Sequence, residues 1–263
     1  MRRIVVAGGG FAGLWAALGA ARLRASAKVA PDALEIVLVD ANPYHSIRVR
    51  NYETDLSGTT IPFADILEPA GVRHVLARVE RIDPAARAVH LSGCGLPSIG
   101  YDRLVMALGS RLRRPPVQGL TRYAFDVDTY AGAERLAAHL RALDDAPDDP
   151  GRDVVVVVGG GFTGLECAAE LASRDGPRRL RVVLVDRGAA VGGGYCDAAR
   201  RTIATALADL GVEARTGTAL SSVTAEGVVL EPGGFLPART VVCCAGMEAS
   251  PRTADFALPL DPS

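Results

Sequence analysis

The octapeptide GGGFAGLW at residues 8–15 returns as GGGFTGLE at 159–166, and each copy follows an apolar run, in RRIVVAGGG and RDVVVVVGGG. A short β-branched run, a glycine turn and an alanine-rich stretch predict a buried parallel strand, a tight turn and a helix. The first copy then reaches LEIVLVD (34–40) and the second RLRVVLVDR (179–187), each a further strand closing on an acid, Asp40 or Asp186. Two strand–helix–strand units with right-handed crossovers follow. The repeat is one supersecondary unit used twice, not a solenoid period.

Within each copy the spacing is G-x-G-x-x-G: Gly8, Gly10 and Gly13, then Gly159, Gly161 and Gly164. The first glycine permits the tight turn, the second lets a diphosphate approach the backbone, and the third lets the helix pack on the strand. Phe11 and Ala12, like Phe162 and Thr163, open the helices. The free N–H groups there carry roughly half a positive charge towards an anion. Asp40 and Asp186 stand where a carboxylate accepts hydrogen bonds from ribose hydroxyls. Asp186 would also repel a 2′-phosphate, which favours NADH over NADPH, while the adjacent Arg187 tempers that preference. One such motif is weak; two, each with its strand, helix and acid, are specific. The fold class expected is α/β, with two Rossmann-like nucleotide-binding domains.

The chain has 263 residues, 49% of them hydrophobic, enough for one large domain or two modest ones. A formal net charge of −1 leaves no electrostatic footprint for nucleic acid. Five cysteines (94, 167, 196, 243 and 244) form neither a disulfide framework nor a C-x-x-C pair. They point to a reducing, cytoplasmic setting and to no metal site. Cys243 and Cys244 sit in an apolar run, as small buried hydrophobes would. The basic and apolar amino terminus mimics a signal peptide, but its glycine spacing fits strand, turn and helix better. No apolar run reaches the ~18 residues needed to cross a bilayer.

Between the copies the pattern is less regular. Residues 42–63 hold turn residues without sustained periodicity; 72–91 read as two strands around Asp83-Pro84; and YDRLVMALGS (101–110) reads as a strand ending at glycine. RRPPVQG (113–119) is a proline-rich hinge, so the boundary is placed after residue 115. Residues 128–145 should form an amphipathic helix, 144–153 an acidic loop, and 197–210 a helix stopped by Gly211.

Two such units joined through YDRLVMALGS resemble the flavoproteins with two dinucleotide-binding domains, most of all the type II NADH dehydrogenases and related FAD-dependent pyridine nucleotide oxidoreductases. VVAGGGFAGL, VDANPYHSIRVRNYE, YDRLVMALGS, VVVGGGFTGLECAAEL and TVVCCAGMEASP carry the likeness across nearly the whole chain. The resemblance implies FAD on residues 1–115, with Gly8, Gly10 and Gly13 at its diphosphate and Asp40 at its ribose. It sets Val79 by the adenine, and Ala107, Gly109 and Ser110 at the strand end under the flavin, with Leu108 replacing the family's threonine. It implies NAD(P)H on an inserted domain, 116–248, held by Gly159, Gly161, Gly164 and Asp186, with Gly246 by the nicotinamide. Glu166 matches a family glutamate at the nicotinamide–flavin contact, the one candidate catalytic residue; equally, it reads as a first-turn acid favoured by the helix dipole.

The resemblance also implies an activity: hydride from NADH to FAD, and electrons onward to a quinone-like or other small acceptor. No cysteine pair stands in ANPYHSIRVRNYE, which argues against disulfide, dihydrolipoamide and mercuric reduction. Cys167, the nearest candidate for sulfide chemistry, lies in an apolar setting and reads as core. Residues 249–263 begin a return to the flavin domain, and the sequence stops before the family's Gly-Asp motif, as in a fragment or a shortened member. Any peripheral membrane contact would then lie in residues beyond it. The rivals are a nucleotide-binding protein without turnover and a flavin monooxygenase. His45 and His74 are isolated, and read as surface or packing residues.

Overall fold

The computed structural model describes residues 1–256. Contacts divide the described residues into two units: 1–47, 58–111 and 249–256 form one, and 48–57 with 112–248 form the other.

In the first unit, Arg2–Ala7 leads into the helix Phe11–Ser26 and on to the strand Leu34–Asp40. These two strands lie parallel, flanked by Arg73–Leu76 and Arg103–Met106 in a four-stranded sheet. A three-stranded antiparallel meander, Arg78–Asp83, Ala88–Ser92 and Ser98–Gly100, intervenes before the last strand. The 72–91 stretch therefore contains three strands rather than two. It breaks at Ala77, whose N–H bonds Asp40 O at 2.8 Å, and the chain then leaves the parallel sheet.

Alternation along the strands sets the layers. Val6, Ile36 and Leu38 pack with Leu14, Ala17 and Ala21 of the helix and with Phe63 and Leu67. Val5, Val37 and Val39 pack with Ile82, Val89, Leu91 and Ile99 of the meander. Helix, sheet and meander make three layers around two apolar seams. Residues 251–256 form a 3₁₀ turn on this unit, with Asp255 accepting from Ile82 N at 2.9 Å. The rest of the expected return segment, 257–263, lies outside the described residues.

The second unit repeats this plan. Val154–Val158, the helix Phe162–Ser173 and Arg181–Val185 lead to the helix Asp197–Asp209 and to Glu213–Arg215. A meander of Ala219–Val223, Gly227–Glu231 and Gly234–Pro237 precedes Thr240–Cys243. The register of the closing strand also repeats. Ile4–Ala7 runs beside Arg103–Met106, as Val155–Val158 runs beside Thr240–Cys243. The helix Tyr130–Asp144, capped by Thr129 Oγ1 on Gly132 N at 3.0 Å, adds Leu136 and Leu140 to the helical face.

Residues 48–57, expected within the first domain, group with this second unit. Tyr52 packs against its apolar cluster, Arg48 Nε donates to Asp128 at 3.0 Å, and Thr54 N–H donates to the Glu170 carboxylate at 2.8 Å. These ties are side-chain contacts across more than 70 residues of sequence, with no local periodicity to announce them.

Candidate functional site: two glycine cradles

Each cradle begins where a parallel strand stops and the chain turns at a glycine with positive φ, +101° at Gly8 and +111° at Gly159. Even an alanine is excluded there by space as well as by conformation. A Cβ on Gly8 would lie 2.3 Å from Ala107 O, and one on Gly159 would lie 2.4 Å from Cys244 O. The third glycines are tighter still: a Cβ on Gly13 or Gly164 would stand 1.8 Å from the carbonyl of Gly8 or Gly159. Gly10 and Gly161 differ in kind. Their backbones are extended, and no heavy atom lies within 4 Å of the Cβ position. That open space is what a diphosphate needs in order to reach the backbone.

Both helices start on those open glycines without a side-chain cap, and neither first turn contains an acid. The partial positive charge of each helix start is therefore directed at whatever fills the cradle. Phe11 and Ala12, and likewise Phe162 and Thr163, are exposed at the cradle mouths.

Asp40 and Asp186 make bonds within the fold that spacing alone did not reveal. Asp40 Oδ2 accepts from Gly9 N at 2.7 Å and Oδ1 from Asn42 N at 2.8 Å. Asp186 Oδ2 accepts from Gly160 N at 2.5 Å and Oδ1 from Gly188 N at 2.6 Å. Each acid braces the middle glycine of its own turn. An ionised carboxylate has about four lone-pair sites, so each keeps capacity for a ribose hydroxyl. The middle glycines differ: a Cβ on Gly9 would strike Phe63 Cζ at 2.2 Å, whereas one on Gly160 would meet Asp186 Oδ2 at a tight 3.0 Å.

Around the first cradle, Ala107 N–H donates to Ala7 O at 2.8 Å and its carbonyl backs Gly8. Gly109 follows with φ +63°, its carbonyl accepting from Ser250 N at 3.0 Å, and Ser110 opens the next strand. Val79 is half-buried in the meander, paired with Leu91 and two residues after the Ala77 bond to Asp40. His45 is buried, with Nδ1 2.9 Å from Gly9 O and Phe11 edge-on at 4.9 Å, so it packs the turn. Burial lowers the pKa of His74, whose ring lies 4.8 Å from Phe63.

The second cradle opens into a cleft of about 490 Å³. Gly159, Gly161, Asp186, Arg187, Thr218 and Gly246 are among its lining residues, as is Arg113. Cys244 occupies the place that Ala107 holds in the first copy, so Ala107-Leu108-Gly109 and Cys244-Ala245-Gly246 are equivalent turns. The shared A/C-x-G after the closing strand is the sequence signal for this equivalence. Hydrogen bonding with Cys167 and burial hold the Cys244 thiol well above its ordinary pKa. Both effects favour the protonated thiol.

Glu166 is the fifth residue of its helix, not a first-turn acid. Burial pushes its carboxyl pKa up, and its charge contributes to the raised pKa of Tyr52 and of Tyr195. Tyr195 in turn meets the exposed Phe162 edge-on, 4.7 Å between centroids. Among the described residues, no group of three or more His, Cys, Asp or Glu is placed to hold a metal, and no helix is long and apolar enough to cross a membrane.

The family profile described as "Pyridine nucleotide-disulphide oxidoreductase" matches residues 2–262. An NADH dehydrogenase-like protein of Mycobacterium tuberculosis is 47% identical over 99% of this chain and 66% of its own length. A demethylphylloquinone reductase of Synechocystis is 32% identical over 98% of this chain and 65% of its own. The chain thus spans about two thirds, or slightly less, of these relatives. Among solved structures, a NAD-dependent persulfide reductase from A. fulgidus superposes with a TM-score of 0.81 at 23% identity, covering 98% of this chain and 49% of that one.

Proposed function

Because the chain belongs to the pyridine nucleotide-disulphide oxidoreductase family, we propose that it acts as an FAD-dependent NADH oxidoreductase that serves a quinone-like or other small acceptor. The observation that carries the proposal is the duplicated cradle: two strand ends, each with one open glycine between two closed ones and an acid bracing the turn. That arrangement suits one dinucleotide per unit, FAD on the first and NADH on the second. The names of the relatives from M. tuberculosis and Synechocystis support NADH as donor and a quinone as acceptor.

FAD and NADH, when bound, supply the chemistry, a hydride passing from nicotinamide to flavin. The chain's own part is to bind and orient. Backbone N–H groups at Phe11–Gly13 and Phe162–Gly164 would hold the two diphosphates, and Asp40 and Asp186 the adenosine riboses. Val79 would border the flavin's adenine, with Ala107, Gly109 and Ser110 at the strand end under the flavin. Gly246 would let the nicotinamide end approach the backbone, with Glu166 at the reacting rings. Hydride transfer needs no side-chain nucleophile. Asp186 beside Arg187 makes NADH the favoured but not exclusive donor. Unbridged cysteines at 94, 167, 196, 243 and 244 suit a reducing, cytoplasmic setting.

Purified protein incubated with FAD and then NADH under anaerobic conditions tests this. Yellow protein whose flavin absorbance bleaches on adding NADH is the expected result. Thermal stabilisation by NADH without any retention or effect of FAD would instead leave a nucleotide-binding protein without turnover. Oxygen uptake coupled to hydroxylation of an added substrate would point to a monooxygenase.

A further inference from the structure

We propose that Arg113 is the cation that holds the dinucleotide's diphosphate in the cleft of the second unit; the inference rests on the nucleotide reading of that cleft. The cleft is lined by three charged residues, Asp186, Arg187 and Arg113. Both Asp186 oxygens already accept backbone bonds, from Gly160 N of the turn and from Gly188 N of its own loop. Arg187 follows Asp186 directly and belongs to the ribose end. Arg113 is tied by its backbone to the turn that follows the closing strand, its N–H donating to Gly246 O at 2.9 Å.

The neighbouring arginine does different work. Arg114 Nη2 donates to the Asp126 carboxylate at 2.8 Å, an acid with only 7% of its side chain exposed. Arg113 makes no side-chain hydrogen bond or ion pair among the described residues, and its side chain is exposed at the cleft. The run into Pro115 and Pro116 restricts the backbone and holds the residue at the cleft wall.

A cation of this kind improves the charge balance of the cleft. A diphosphate diester brings two negative charges, whereas an uncapped helix start offers roughly half a positive one. A guanidinium adds a full charge and can donate two parallel N–H bonds to phosphate oxygens, which an ammonium cannot do. The exposed mouth screens the pair, so its effect is moderate and falls with salt.

The test is calorimetric titration with ADP-ribose, which carries the diphosphate and both riboses but has no nicotinamide and undergoes no redox chemistry. Against wild type, Arg113→Gln should weaken ADP-ribose about 10-fold, equivalent to about 1.4 kcal/mol, with a shallower dependence on salt. Arg113→Lys should recover part of the loss, and Arg187→Gln should change ADP-ribose binding by less than about 2-fold. Thermal melts establish that each variant is folded, as expected for exposed positions. Wild-type affinity retained in Arg113→Gln would overturn the assignment of Arg113 alone. No ADP-ribose binding by the wild type would overturn the reading of the cleft and this inference with it.

Discussion

At the scale of single residues, glycines with the same letter do opposite things. Gly164 is closed: a Cβ would collide with Gly159 O at 1.8 Å, so the helix could not pack on its strand. Gly161 is open, in an extended conformation that any residue adopts. Gly164→Ala should therefore destabilise the protein by more than about 2 kcal/mol, as overpacking in a rigid site does. Gly161→Ala should cost less than about 1 kcal/mol in urea denaturation, yet weaken ADP-ribose at least about 10-fold, since its methyl stands in the diphosphate's approach. Equal stability losses in the two variants would contradict this division of labour. The G-x-G-x-x-G spacing made all of these glycines visible in the sequence. It did not disclose the brace from Asp40 and Asp186 to Gly9 N and Gly160 N, because a carboxylate's partners depend on where two distant backbone segments meet.

At the scale of elements, the parallel strands were legible because they are short apolar runs buried on both faces, as in VVVVV at 154–158. The edge of the first sheet shows what such patterning leaves out. Glu35 on Leu34–Asp40 receives Arg3 Nε at 2.5 Å and Arg73 Nε at 2.7 Å, knitting three strands through one carboxylate. Burial by itself raises the Glu35 pKa, but the hydrogen bonds and charges of Arg3 and Arg73 together outweigh it and hold the carboxyl below its usual value of 4.5. A pKa depressed by folding adds stability that is present above the unfolded value and lost as pH falls through the folded one. Glu35→Gln should cost about 1 kcal/mol at pH 7, limited by the partial exposure of Arg73, and the gap should close below pH ~4.5. Urea denaturation at pH 7 and at pH 3.5 checks this; a cost that persists unchanged at pH 3.5 would remove the ion pairs as its cause.

At the scale of the whole molecule, the duplication runs further than the sequence repeat. The strand–helix–strand start was recognisable in both copies, whereas the meander and the closing strand carry no comparable run of shared letters. Even so, both units place the closing strand beside the first in the same register. The chain also crosses between units earlier than the hinge at 113–119. Residues 48–57 belong with the second unit through Tyr52, the Arg48–Asp128 pair and the Thr54–Glu170 bond. Glu170→Ala should loosen that segment alone: hydrogen exchange at 51–54 should quicken about 10-fold, with protection at Val154–Val158 unchanged. Faster exchange in both segments would mean that Glu170 holds the unit's core rather than the strap.

Two glycine cradles are already written in the order of the residues, because glycine spacing and buried β-branched runs are local and tolerate few other conformations. Tertiary structure alone decided which atoms brace the turns, that Cys244 stands where Ala107 does, and that Arg113 rather than Arg114 faces the second cleft. Those outcomes rest on contacts between residues far apart in the chain. Such contacts depend on packed distances of a few ångströms, and these have no counterpart in the order of the letters.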